Sequence, residues 1–173
     1  MEINLSELRA MHPRLPEDVA LLMTVRAALG LQRNGHESPV AIGLDLERVA
    51  SQGLLFWPGS DLAELDQHDH DRVTEDGAEA IALALAHRHR GWRVVRRLQR
   101  EERADWLLEP SGEAMGERIA LEVSGVDRGS VTARLAEKLA QVAQSTDVDQ
   151  RCAGVVGFEK PVACLCSTEA ARP

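Results

Sequence analysis

The sequence has no apolar run close to the roughly 18 residues that a membrane-spanning helix needs. Its first residues, "MEINLSELRAMHPRLPEDV", are acidic and polar, unlike the basic and apolar segments of a signal peptide. We therefore expect a cytoplasmic protein with no membrane partner. The sequence also lacks a P-loop, a G-x-G-x-x-G segment after a predicted strand, and any obvious Ser-His-Asp or Cys-His arrangement, so the enzyme classes with these motifs are not indicated.

Cysteine and lysine are both scarce. The three cysteines are Cys152, Cys164 and Cys166, and an odd number without a secretion signal argues against a disulfide framework. We interpret them as small apolar side chains of the core. Of the 20 lysine and arginine residues, only Lys138 and Lys160 are lysines. A lysine that acts in acid–base chemistry or as a nucleophile therefore has two candidates, because arginine stays protonated.

The length of 173 residues, with 44% hydrophobic and 28% charged residues, is typical of one globular domain with a substantial core. We expect a single domain, 1–173, in which residues 1–73 are an N-terminal extension of a core at 74–167. The net charge of -8 argues against a protein that coats nucleic acid over its whole surface. A local basic face remains compatible with this total.

Hydrophobic periodicity and turn residues predict an alternation of helices and strands. Thr74 is the expected N-cap of the second helix and Gly91 its stop, and the polar stretch 58–73 before it is expected to be a loop. From residue 74 onward the predicted order is α-β-β-β-α-β-β. The predicted helices are 17–33, 74–91 and 129–145, and the predicted strands are 39–47, 53–57, 92–98, 104–109, 118–124, 152–159 and 162–167.

Two acids, Asp105 and Glu122, interrupt apolar strands, where acids are rare and costly to bury. Alternate residues of a strand share a face, so Glu122 points the same way as Ser124. If the two strands pair, Asp105 lies beside Glu122, and the two carboxylates repel each other unless a cation lies between them. A hard divalent ion, Mg²⁺ or Mn²⁺, suits such oxygen ligands.

Other interpretations of the acids need no metal. Asp105 can cap a turn at the end of its strand, and Glu122 can form a salt bridge to Arg93 or Arg97 of a neighbouring strand. For Glu79, on the helix 74–91, a solvated helix face is the simplest interpretation. The run "DQHDHD" at 66–71 contains possible metal ligands, but it is more typical of a solvated loop.

The order of elements, together with Glu79, Gly91, Asp105 and "EVS" at 122–124, resembles the PD-(D/E)xK nuclease superfamily. The resemblance covers about half of the chain, residues 74–166. It implies an α/β protein with a restriction-endonuclease-like α-β-β-β-α-β core, in which helices flank a central mixed sheet. The N-terminal helix and two strands would be additions to that core. It also implies a metal-dependent nuclease that acts on DNA, in defence or recombination, with Mg²⁺ or Mn²⁺ as cofactor.

Carried over residue by residue, the resemblance makes Asp105 and Glu122 the metal-binding acids. Glu79 corresponds to the acid of the preceding helix, with Glu75 as the alternative. The position of the usual motif lysine holds Ser124 instead.

A lysine from the following helix is a known variation in this superfamily, and Lys138 with Gln141 matches it. If no lysine reaches the acids, the fold would be a catalytically degenerate interaction module with a protein partner or a homodimer. The stretch "HRHRGWRVVRRLQREER" at 87–103 supplies the DNA-binding candidates Arg93, Arg96 and Arg97, to which Gln141 is added. Salt bridges to nearby acids are an equally good interpretation of these arginines.

Overall fold

One mixed sheet organises the molecule, as seen in a computed structural model that describes residues 1–59, 68–112 and 116–169. Within these residues the sheet has eight strands. In chain order they are β1 (Glu2–Asn4), β2 (Val40–Leu46), β3 (Val49–Phe56), β4 (Trp92–Arg97), β5 (Trp106–Pro110), β6 (Ile119–Val126), β7 (Gln150–Gly157) and β8 (Val162–Ser167). Their order across the sheet is β1-β3-β2-β8-β7-β6-β5-β4.

Helices cover both faces of this sheet. The described part of the chain contains four α-helices, α1 (Leu8–Met11), α2 (Glu17–Arg33), α3 (His70–Arg90) and α4 (Val131–Val142). Alternate residues of β6 enter two different apolar clusters: Leu121 belongs to the cluster with α2 and α3, and Ala120 to the cluster with α4. The protein is therefore an α/β protein whose sheet lies between helices, as the sequence predicts.

Helix α3 lies close to the sheet and to α2 because the side chains on its buried faces are small. Residues 78–86 are all buried, and more than half of them are alanine. At Gly77 an added Cβ would lie 2.9 Å from the Cα of Ala27 on α2, so this crossing leaves no room for a side chain. The tight packing fixes the position of α3, which carries Glu79, relative to the strands.

The end of α3 agrees with the prediction, but its beginning does not. Gly91 adopts the left-handed conformation with φ 68° and ends the helix. The N-cap is Asp69, whose side chain accepts a hydrogen bond from the backbone of Arg72. The prediction that Thr74 is the N-cap is wrong: Thr74 lies one turn inside the helix, and its hydroxyl donates to the carbonyl of His70. Residues 60–67 of the predicted loop lie outside the described residues.

The first 57 residues add to the same sheet, as expected. Strand β2 pairs with β3 in antiparallel orientation and with β8 in parallel orientation. Strand β3 begins at Val49 rather than at residue 53. The sequence does not predict this earlier start, because residues 49–52, which are exposed, show no alternation of apolar and polar side chains. The short elements β1 and α1 have no prediction that corresponds to them. None of the described helices combines the length and apolar character needed to cross a bilayer.

The three cysteines are buried and unpaired, in agreement with their interpretation as core side chains. Burial raises the pKa of each thiol, and that of Cys164 rises to about 11. At neutral pH these groups are therefore neutral thiols rather than reactive thiolates.

Candidate active site

The carboxylates of Asp105 and Glu122 lie close together at the point where the pairing of β5 with β6 ends. Strands β5 and β6 are antiparallel, and Trp106, the first residue of β5, is paired with Leu121; Asp105 directly precedes β5 and Glu122 directly follows Leu121. The backbone N–H of Asp105 donates to the carbonyl of Leu121 at 3.1 Å, and its side-chain Oδ2 accepts from the backbone N–H of Val123 at 2.8 Å. These bonds hold the Asp105 carboxylate against β6, on the side of Glu122.

Glu122 is almost completely buried, with 3% of its surface exposed. Its Oε1 accepts a hydrogen bond from Nζ of Lys138 at 2.6 Å. Burial raises the pKa of Glu122, and the negative charge of Asp105 raises it further, while Lys138 acts in the opposite direction. The expectation of a salt bridge from Glu122 to Arg93 or Arg97 is wrong, because the partner of Glu122 is the lysine of α4.

Lys138 reaches the acids because of the way α4 packs. Leu135, Leu139 and Val142 anchor this helix in the apolar cluster on its side of the sheet. Lys138 lies between these anchors and its side chain, 19% exposed, extends to β6. Nζ also donates to Oε1 of Gln141, one turn further along, at 3.2 Å. The structure therefore brings together Asp105, Glu122, Lys138 and Gln141.

Glu79 lies on α3 beside the same strands and is 5% exposed, so the solvated-face interpretation is wrong. Its two oxygens accept from the guanidinium of Arg97 at 2.7 and 3.1 Å, and Oε2 also accepts from the indole N–H of Trp106 at 3.2 Å. Burial raises the pKa of Glu79 to about 7, although Arg97 opposes the rise; the charge of Asp105 contributes to it. Glu79 thus accepts a hydrogen bond from Trp106, the residue next to Asp105, and the negative charge of Asp105 helps to raise its pKa.

The arginines of β4 lie on an edge strand, and two of them have carboxylate partners. Arg96 forms a two-pronged pair with Glu102 at 2.6 and 2.9 Å, and Arg97 binds Glu79. Arg93 is exposed opposite Glu109 of β5. The salt-bridge interpretation therefore describes Arg96 and Arg97, and their charges are already partly neutralised within the protein.

A cleft of about 530 Å³ borders this cluster on the side of Lys138 and Ser124. Its walls are the first turns of α3, the end of β6 and the N-terminal half of α4. Arg128 and Arg134 line it too, and sequence analysis did not single them out. The sequence could have indicated Arg134 as a site residue, because it lies four residues before Lys138 and residues four apart share one face of a helix.

Among residues 1–59, 68–112 and 116–169, no group of three or more histidine, cysteine or acidic side chains is placed to hold a metal ion. Part of the run "DQHDHD" falls on residues outside this range, and His70 is the first residue of α3. The carboxylates of Asp105, just before β5, and Glu122, on β6, are the closest pair of oxygen donors among the predicted site residues.

Comparison with known proteins assigns no family to this geometry. No protein-family model, no curated protein and no solved structure matches the chain. A functional assignment must therefore be argued from the contacts of the site itself.

Proposed function

We propose that this protein is a metal-dependent phosphodiesterase that cleaves DNA and has a PD-(D/E)xK nuclease-like core. The observation that carries the proposal is the convergence of Asp105 and Glu122 from neighbouring strands, with Nζ of Lys138 2.6 Å from Glu122. Ser124 occupies the position of the usual motif lysine, and Lys138 supplies an ammonium group to the same acid from the next helix. The arrangement thus contains an acid pair and a cation in spite of the substitution.

The arrangement of elements around the site supports the proposed core. A helix, three antiparallel strands, a second helix and a further strand follow one another as α3-β4-β5-β6-α4-β7. Strands β4, β5 and β6 are neighbours, and β7 lies parallel to β6 after the crossover through α4. This is the α-β-β-β-α-β order that the resemblance implies.

The acid pair fits a divalent cation. Burial and the charge of Asp105 make ionised Glu122 unfavourable, and a cation between the two carboxylates would relieve that cost. Mg²⁺ is commonly held by one or two carboxylates, and waters and substrate oxygens complete its shell. Asp105 and Glu122 would hold the ion, which when bound supplies a polarised water and neutralises charge on a phosphoryl group.

In this proposal Lys138 acts directly on the substrate, and Gln141 acts through Lys138. The ammonium group lies at the border of the cleft, so it can donate a hydrogen bond to a phosphoryl oxygen while Gln141 fixes its orientation. Glu79 acts differently, because Arg97 and Trp106 already donate to its oxygens. It positions the start of β5, and with it Asp105, rather than contacting the substrate.

Nicking of supercoiled plasmid DNA in Mg²⁺ or Mn²⁺ tests the proposal. Asp105→Asn and Glu122→Gln should each lower the rate about a hundredfold or more, because each removes a charged ligand of the proposed metal ion. The matched control is Glu109→Gln, which removes a carboxylate from β5 whose partner is the exposed Arg14. Equal nicking by the two site variants and the control would refute the proposal.

A second function is favoured by one observation, which is that both buried glutamates already have cationic partners. The pairs Glu122–Lys138 and Glu79–Arg97 can serve folding alone, in which case the domain is an interaction module. That function predicts no metal-dependent nicking, together with a protein complex that survives Asp105→Asn and Glu122→Gln.

A further inference from the structure

The cleft beside Lys138 has walls of opposite charge. Along α4 and the loop before it lie three cations, Arg128, Arg134 and Lys138, and two acids, Asp127 and Glu137, whereas the opposite wall on α3 carries only the acids Asp71 and Glu75. Neither Asp105 nor Glu122 lines the cleft, but Lys138 does and it donates to Glu122, so a chain of phosphates lying in the cleft would meet the proposed reaction centre at Lys138.

Polar and basic side chains follow one another at regular intervals on the α4 side of the cleft. Ser130, Arg134 and Lys138 follow each other at intervals of four residues, so they share one face of α4 with a rise of about 6 Å per step. Arg134 is paired with Glu137 at 3.0 Å, but both side chains are about half exposed. Exposed pairs of this kind contribute little to stability, so a phosphate can replace Glu137 as the partner of Arg134.

The loop that carries Arg128 is held in place by contacts on its other side. Asp127 accepts hydrogen bonds from Arg33 at 2.6 Å and from Asn34 at 3.0 Å, both at the end of α2. Arg33 also donates to the hydroxyl of Thr74 on α3. These contacts connect both walls of the cleft to α2 and partly neutralise Asp127, the residue before Arg128.

The acidic wall argues against a second nucleic-acid strand. A duplex held on the α4 wall would bring its other phosphate backbone toward Asp71 and Glu75, and like charges at that range repel. The volume of about 530 Å³ also lies within the range of sites for small ligands. None of the described residues that line the cleft is aromatic, so bases find no stacking platform there.

We propose that the cleft binds a single DNA strand along α4 through its phosphates, with Arg128 and Arg134 as binding residues and without preference for base sequence. The proposal rests on the proposed nuclease function and adds its substrate form. It places phosphate binding on α4 and the loop before it rather than on Arg96 and Arg97 of β4, which bind carboxylates of the protein itself.

Equilibrium binding of a fluorescent 20-nucleotide DNA, single-stranded or as a blunt duplex, tests this inference in EDTA, where cleavage is prevented. Arg128→Ala and Arg134→Ala should each weaken single-strand binding about fivefold at 0.1 M salt, because one phosphate contact changes the salt slope by about 0.7. The matched control is Arg88→Ala, which removes an exposed arginine paired with Glu7 outside the cleft.

Two results would overturn the inference. One is that Arg128→Ala and Arg134→Ala show the affinity and salt slope of the Arg88→Ala control. The other is that the blunt duplex binds as tightly as the single strand. Either result leaves metal-dependent nicking by the unsubstituted protein untouched, whereas absence of nicking with intact, arginine-dependent strand binding would count against the catalytic proposal alone.

Discussion

His12 gives the stability of this protein a pH dependence that can be calculated from its contacts. The residue follows α1 and is completely buried. Its Nδ1 accepts a hydrogen bond from the backbone N–H of Val94 on β4, and its Nε2–H donates to the carbonyl of Leu83 on α3. The neutral ring thus connects the helix that carries Glu79 to the strand that carries Arg97, and a second proton would break the bond to Val94.

Burial lowers the pKa of His12 to about 4; the carbonyl of Leu83 opposes this, while the nearby charges of His87 and Arg93 add to it. As the pH falls, the unfolded chain binds the proton first, near its ordinary pKa of 6.5. The contribution of His12 is therefore complete above pH 6.5 and is lost progressively down to pH 4. The loss is about 3 kcal/mol in total and about 2 kcal/mol at pH 5.

Urea unfolding at pH 7.5 and pH 5 measures this loss, and His12→Gln serves to isolate it. Glu79 and Glu122 act in the opposite direction, because their raised pKa values favour the folded state at low pH, and this effect is common to both proteins. The difference between the protein and His12→Gln should therefore shrink by about 2 kcal/mol at pH 5. The control is His70→Gln, at an exposed position. Between pH 7.5 and pH 5 this variant should lose as much stability as the unsubstituted protein does. If the unsubstituted protein and His12→Gln differ in stability by the same amount at pH 7.5 and at pH 5, the role assigned to His12 is refuted.

Two further changes test the packing and the charge of the site. Gly125→Ala should destabilise by about 3 kcal/mol in urea unfolding, because the added Cβ would overlap the carbonyl oxygen of Thr74, while Gly59→Ala, in open space, should stay within about 0.5 kcal/mol. Equal losses of stability for Gly125→Ala and Gly59→Ala would contradict the close approach of Gly125 to Thr74. Lys138→Met should cost about 2 kcal/mol at pH 8 and less at pH 5, where its buried carboxylate partner takes up a proton, while Arg96→Ala, which removes an exposed partner of Glu102, should change the stability little at both pH values. A pH-independent cost for Lys138→Met would show that the ion pair does not cause the loss.

Much of the sheet could be predicted because its strands have strong local signals. The alternation in 118–124 and the order of elements sufficed to place Asp105 beside Glu122. The helix 129–145 was predicted two or three residues too long at each end, which is the ordinary uncertainty of helix ends. Strand β1 was missed because three residues are too few to show a period.

The surroundings of Glu79 could not be predicted, since they depend on residues distant in sequence. Its partners Arg97 and Trp106 lie 18 and 27 residues away, on two strands that meet α3 only in the folded protein. The early start of α3 was missed for a different reason: the polar residues before Thr74 resemble a loop, although Asp69 is a good N-cap.

The distance along the chain between the groups of the site has a kinetic consequence. Glu122 and Lys138 are 16 residues apart, and the pairing of β5 with β6 is equally local. Closing such short loops costs little entropy, so these contacts can form before β1 and β3, at the far side of the sheet, join it. The groups of the site would then be in place before the N-terminal segment has paired with the rest of the sheet. Slow docking of that segment would delay the gain of full stability more than the formation of the site.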